Sequence, residues 1–152
     1  MTARLAAMLS LMLSTAVACR AGNDGPPRIE VDRTPCAHCG MLVSEPVFAA
    51  AYRAPQGDAR VFDDIACLLE AVSGEKDRSG LRLWFHDAAT AQWIDGGTAV
   101  FVESAGLKTP MGGGFVAYKD EATAAKTAAD RQGRLIRSVG DLLQARAAGG
   151  GA

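Results

Sequence analysis

The order of short apolar segments limits the folds that this chain of 152 residues can adopt. Segments 47–53 and 59–62 are predicted strands on either side of turn residues 55–58. A helix is then expected to begin after Asp63, a residue type that commonly caps helices, and to end at Gly74. Its apolar residues recur at helical spacing: Ile65, Leu68, Leu69 and Val72.

A third strand at 81–86 completes a β-β-α-β order that the second half of the chain repeats. The further elements expected are strands at 98–102, 115–119 and 134–136, an alanine-rich helix at 121–132, and a helical turn or two at 139–146. The repeat lies in the order of elements and not in residue identity. The sequence therefore predicts an α+β fold of two successive β-β-α-β modules packed together, with helices against small antiparallel sheets.

The first residues of the chain have the organisation of an export signal. Arg4 supplies a positive charge, and residues 5–13 form an apolar run that is too short to span a bilayer. The sequence Ala-Val-Ala-Cys at 16–19 is similar to the processing site of bacterial lipoproteins. We predict a signal peptide at 1–18 and lipid modification of Cys19; the alternative is ordinary cleavage that leaves this cysteine as a free thiol.

Flexible segments are predicted on both sides of a packed domain at 34–146. Residues 19–33 are rich in glycine and proline and poor in apolar side chains, which is typical of a tether. Residues 147–152 contain only alanine and glycine and are expected to fray. The sequence thus predicts a periplasmic domain that is attached to a membrane by its lipid. Arg20 is not a signal for inner-membrane retention, which favours the outer membrane.

Charge and motif content exclude several classes of function. The chain has 16 basic and 17 acidic residues, mixed along its length, so no basic surface for nucleic acid is expected. No Ser/His/acid set, phosphate-binding loop or pair of buried carboxylates is recognisable, so we do not expect an enzyme. Asp63 and Asp64 are interpreted as residues at a helix N-terminus, next to its positive dipole end.

Cys36 and Cys39 are two thiols at a spacing that brings both sulfurs to one ion or to each other. Gly40 stands where covalent haem attachment requires histidine. The flanking residues indicate a loop, whereas a thioredoxin-like pair needs a strand before it and a helix after it. A zinc ribbon needs a second close pair of ligands, but Cys67 and His86 stand singly. Metal binding, thiol-disulfide exchange and an inert Cys36–Cys39 disulfide stay open.

Additional sulfur atoms favour a soft metal ion. Cys67 lies roughly opposite the apolar stripe of its predicted helix, although a buried cysteine also serves as a small core residue. Met41 follows the cysteine pair closely, and Met111 lies in a glycine-rich loop at 109–114. Thiolate and thioether ligands together select Cu(I). The candidate ligands are Cys36, Cys39, Met111, Met41, Cys67 and, as an accessory nitrogen donor, His38.

Five short motifs occur in order across the domain. They are Cys-X-X-Cys-Gly-Met at 36–41, Phe-Asp-Asp-Ile-Ala-Cys at 62–67, His-Asp at 86–87, Trp-Ile-Asp at 93–95 and Thr-Pro-Met-Gly at 109–112. Together they resemble the NosL family, which comprises copper-binding lipoproteins associated with nitrous-oxide reductase. The resemblance extends from about Thr34 to Leu143, and the ordered set is far more specific than any single motif.

The resemblance implies a periplasmic Cu(I) chaperone that helps to load nitrous-oxide reductase or another copper-receiving protein, and a fold of two β-β-α-β modules. It also implies that Met111 is a copper ligand. Some family members carry a histidine soon after this methionine, whereas glycines follow it here, which leaves the nitrogen ligand and the client open. We expect the glycines to make the loop flexible and the packing of the modules to bring it beside Cys36 and Cys39.

Overall fold

A computed structural model describes residues 25–149. In chain order its elements are a 3₁₀ turn (Pro46–Phe48), β1 (Ala50–Arg53), β2 (Ala59–Phe62), α1 (Ile65–Gly74), β3 (Arg82–His86), β4 (Trp93–Asp95), β5 (Val100–Glu103), β6 (Phe115–Tyr118), α2 (Glu121–Asp130), β7 (Arg134–Ile136) and α3 (Val139–Gly149). Among these described residues no helix has the length and apolarity needed to cross a membrane. The predicted signal peptide, Cys19 and residues 150–152 lie outside the described range.

The strands form two antiparallel sheets, with orders β2-β1-β3-β4 and β6-β5-β7. In each sheet, the first strand of the module lies between the second and the one that follows the helix. The prediction of an α+β fold with two β-β-α-β modules is therefore confirmed. β4 extends the first sheet and was not predicted, because three residues are too few to show a strand period. The predicted strand at 47–53 begins only at Ala50, because Pro46 starts a 3₁₀ turn.

The two modules share one hydrophobic core. Phe85 on β3 packs edge to face against Phe101 on β5, with ring centroids 4.8 Å apart. Side chains alternate across a strand, so the neighbours of Phe101, Val100 and Val102, face the other way and pack with α2 in a second cluster. At the end of β3, the Ala88 amide donates to the Ala117 carbonyl on β6 over 2.8 Å. The expected packing of the modules thus results from a common core and direct backbone pairing.

Helix α1 is covered on nearly all sides of its first turns. Its N-cap is Asp64, whose side chain accepts a hydrogen bond from the Ala66 amide, and not Asp63 as the sequence suggested. The apolar stripe packs on the first sheet, but Ala66 and Cys67 on other faces are buried as well. Two loops cover those faces, and they form the candidate site.

Candidate metal centre

Residues 35–42 form a tight turn that presents both cysteines of the pair. The Cys36 amide donates to the Met41 carbonyl over 2.7 Å, and the Gly40 amide donates back to the Cys36 carbonyl over 3.0 Å. Gly40 has a φ of +79°, a conformation that glycine adopts without strain. Pro35 and Leu42 pair at the base of the turn. The sequence Cys-X-X-Cys-Gly-Met therefore closes on itself through its own backbone.

The first sheet holds this turn in place. The Ala37 amide donates to the carbonyl of Val61 on β2 over 2.8 Å. Arg60 Nη2 donates to the Ala37 carbonyl over 3.2 Å, and Arg60 Nη1 donates to the Tyr52 hydroxyl over 2.7 Å. The Tyr52 hydroxyl also donates to Glu75, the residue that follows α1. The turn is thereby oriented from the strand side and from the far end of α1.

Four donor atoms converge beneath the turn. The thiol sulfurs of Cys36, Cys39 and Cys67 and a carboxylate oxygen of Asp63 all lie within 4.8 Å of one another. The Cys39 thiol donates to Asp63 Oδ1 over 3.6 Å. Cys36, Asp63 and Cys67 are each at most 3% exposed, whereas Cys39 is half-buried. All three cysteines are free thiols. The group is compact enough to surround one metal ion and opens to solvent through Cys39.

Burial controls the ionisation of two of these thiols. Desolvation, followed by the hydrogen bond with Asp63, raises the pKa of Cys36. Desolvation, followed by electrostatic repulsion between ionised Cys67 and the acidic groups of Cys36 and Asp63, raises the pKa of Cys67 well above its ordinary value. Without a cation these thiols hold their protons at neutral pH. A metal ion supplies the missing positive charge and binds with release of those protons.

The structure places the predicted ligands in different surroundings. Three of them, Cys36, Cys39 and Cys67, lie together in the cluster. His38 is exposed and does not belong to it, and Met41 is 56% exposed at the end of the turn. Cys67 is both a core residue and a donor, because the cysteine turn covers the helix face opposite the apolar stripe.

Asp63 is a candidate ligand that the sequence analysis missed. We interpreted both aspartates before α1 as helix N-terminal residues, but Asp64 alone provides the cap. Asp63 is buried with its carboxylate among the thiols. A helix has one N-cap position, so the second of two adjacent aspartates was the signal that one of them has another partner.

The loop that carries Met111 reaches α1 from the second module. Asp64 Oδ2 accepts hydrogen bonds from the Thr109 hydroxyl over 2.6 Å and from the Met111 amide over 2.8 Å. Gly113 lies so close to Ala66 that a side chain there would clash with the Ala66 Cβ. Gly113 therefore permits close packing of this loop on α1, and the flexibility expected from the glycines stays a prediction. Met111 is 44% exposed.

Comparison with known proteins identifies a family and a similar solved structure. The model of a protein family described as NosL matches residues 28–144. The crystal structure of the copper chaperone NosL from Shewanella denitrificans is similar to this chain, with a TM-score of 0.63 and 16% identity. The match covers 74% of this chain and 92% of that one, and at this identity it establishes a shared fold. No curated protein matches the sequence.

Proposed function

Because this chain belongs to the NosL family, we propose that it is a carrier of Cu(I), which it receives and passes on through the thiol cluster. The observation that carries this proposal is the convergence of three cysteine sulfurs and Asp63 within 4.8 Å. Soft thiolate ligands select Cu(I) over harder ions. Copper is the cargo in this proposal, and the protein acts as a chaperone and not as an enzyme.

The exposure of the donors supports transfer rather than permanent storage. Cys39 is the half-buried member of the cluster, so an incoming ligand reaches the metal from its side. Met41 and Met111 are exposed methionines whose neutral thioethers add coordination without competition from protons. In this proposal Met111 completes the site across the modules, with Met41 and His38 as alternative accessory ligands.

The proposal also includes a location and a client. The sequence around Cys19 supports a lipid-anchored periplasmic protein, with residues 19–33 as its tether and the outer membrane as its site. The family's association with nitrous-oxide reductase supports this enzyme, or another copper-receiving protein, as the client. Delivery to such a client requires that the copper site be accessible, as it is on the Cys39 side.

An anaerobic Cu(I) titration against a chromophoric chelator tests the proposed function. It uses the full chain carrying Cys19→Ser, so that this cysteine contributes no thiol. We expect tight binding that is lost in Cys36→Ser and Cys39→Ser, because each replaces a thiolate by a hydroxyl with little affinity for Cu(I). Unchanged affinity in both variants would refute the proposal.

Thiol-disulfide exchange is a second candidate, and the proximity of three thiols favours it. A thiol count on protein purified without reductant separates the two functions. A carrier of Cu(I) retains its thiols, and added copper protects them from alkylation. A redox partner or an inert disulfide instead yields protein whose Cys36 and Cys39 are oxidised and unreactive.

A further inference from the structure

Asp64 is a fully buried carboxylate that accepts hydrogen bonds from both modules. Its Oδ1 accepts from the Ala66 amide over 2.8 Å and caps α1. Its Oδ2 accepts from the Thr109 hydroxyl and the Met111 amide, which belong to the loop between β5 and β6. Hydrogen bonds to an ionised acceptor are roughly twice as strong as those between neutral groups. One side chain therefore ties the Met111 loop to the helix turn that carries Cys67.

The second module shows that capping alone does not require this arrangement. Asp120 occupies the same position before α2, and its Oδ2 accepts from the amide and hydroxyl of Thr123 over 2.7 and 2.6 Å. Asp120 is exposed and bonds within its own helix, whereas Asp64 is withdrawn from water. Burial of a carboxylate is unfavourable unless several donors compensate it. The two donors from the Met111 loop supply that compensation.

The neighbouring contacts fix the loop backbone at this place. Gly113 packs against Ala66, and the Gly114 amide donates to the Thr109 hydroxyl over 3.2 Å, so the residues on both sides of Met111 are held. Met111 itself is 44% exposed, so this packing does not enclose its side chain. Methionine is unbranched and flexible, so it can adapt to an ion once its backbone has been placed.

We propose that Asp64 is a positioning residue that holds Met111 beside the thiol cluster, so that the second module offers its thioether to an ion bound by the first. This inference rests on the proposed function, since it requires that the cluster bind Cu(I). Asp64 itself touches no metal in this proposal. It acts through the Met111 backbone.

Asp64→Asn tests the proposal, with Asp120→Asn as the matched control. The asparagine side chain has one acceptor oxygen, whereas Asp64 uses two. Its NH₂ group must face either the Met111 amide or the Ala66 amide, and the hydrogen bond from that amide is lost. We expect the Cu(I) affinity of Asp64→Asn to fall roughly tenfold or more, within the 10–100-fold range of residues that support metal ligands. X-ray absorption of the Cu(I) form should show one fewer sulfur scatterer. Asp120→Asn should change neither measurement.

A double-mutant cycle with Met111→Leu separates positioning from a general structural effect. If Asp64 acts through Met111, Asp64→Asn lowers Cu(I) affinity in the wild type and has no further effect in Met111→Leu. An equal loss in both backgrounds, or no effect of Met111→Leu alone, would overturn the inference. Thr109→Val removes one hydrogen bond to Asp64 and preserves the helix cap, so the cycle can be repeated with it if Asp64→Asn fails to fold.

The same titrations distinguish this inference from the proposed function. A wild-type chain without Cu(I) affinity refutes both. A wild-type chain whose affinity depends on Cys36 and Cys39 but not on Asp64 or Met111 refutes only the positioning role.

Discussion

The two β-β-α-β modules have the same order of elements but different residues where each helix begins. The first module has Asp63, Asp64 and Cys67 before and within the first turn of α1. The second has Lys119, Asp120 and Thr123 at the equivalent positions before and within α2. The capping aspartate is common to both, whereas the two flanking donors occur only in the first module.

The surroundings of the two helices explain the consequence of this difference. Residues 119–123 are all exposed, whereas residues 63–67 are all buried. The start of α1 lies under the cysteine turn on one side and the Met111 loop on the other. The comparison shows that each module provides a capped helix. Within the described part of the chain, a cluster of metal-binding donors forms only at α1, where the cysteine turn and the Met111 loop cover the helix N-terminus.

The largest expected difference between the two helices concerns stability. Leu68 is fully buried in α1, so Leu68→Ala should lower the free energy of unfolding by about 2–5 kcal/mol. On α2, Ala125 is exposed, and Ala125→Gly should cost about 1 kcal/mol through helix propensity alone. Urea denaturation of the metal-free protein measures both. A loss in Leu68→Ala no larger than that in Ala125→Gly would contradict the expected contribution of the buried face of α1.

Exchange of the residues at the third helical position sharpens the comparison for metal binding. Cys67→Thr gives α1 the residue found in α2 and should weaken Cu(I) binding at least ~100-fold, because loss of a ligand should exceed the 10–100-fold loss of a supporting residue. Thr123→Cys adds a thiol to α2 without the other donors and should leave the affinity unchanged. Both are measured by competition with a chromophoric chelator. Full affinity in Cys67→Thr would restrict the site to the cysteine turn.

At high pH, the stability of the first module should depend on its buried thiols, which have no counterpart at the start of α2. Burial raises the pKa of Cys36 and Cys67 above the ordinary value of 9.0, so these thiols ionise in the unfolded chain before they ionise in the metal-free folded state. The contribution of these protonated thiols to the free energy of unfolding is intact below pH 9.0. It is lost as the pH rises above that value, by up to about 1.4 kcal/mol per pH unit for each thiol.

Denaturation of the metal-free, reduced protein from about pH 8, below an ordinary thiol pKa, to about pH 10.5, above it, measures this loss. Cys67→Thr should make the decline shallower, and Thr123→Ser should preserve it because neither residue ionises. The same decline in Cys67→Thr and the wild type would assign it to other groups.

The fold was predictable because it depends on local periodicity. The spacing of Leu68, Leu69 and Val72 identified α1, and strands at 59–62 and 134–136 have the bounds that the sequence indicated. β4 escaped prediction because its three residues pair with β3 only in the tertiary structure.

The site could be predicted only where the type of residue alone indicates its chemistry. Sulfur at Cys36, Cys39 and Cys67 indicated a soft metal before their proximity was known. The separate roles of Asp63 and Asp64 could not be assigned, because they depend on which loops cover α1. Those loops come from segments more than twenty residues away on either side, and one sequence carries no direct signal of such contacts.

The hydrogen bond between Ala37 and Val61 also affects association between molecules of this protein. β2 is an edge strand, and an open edge is a template on which a strand of another molecule can pair. The cysteine turn occupies the Val61 carbonyl, in the middle of this strand, with its own backbone. The segment that presents the thiols therefore also shields the sheet from intermolecular association, and displacement of that segment would expose the protein to aggregation.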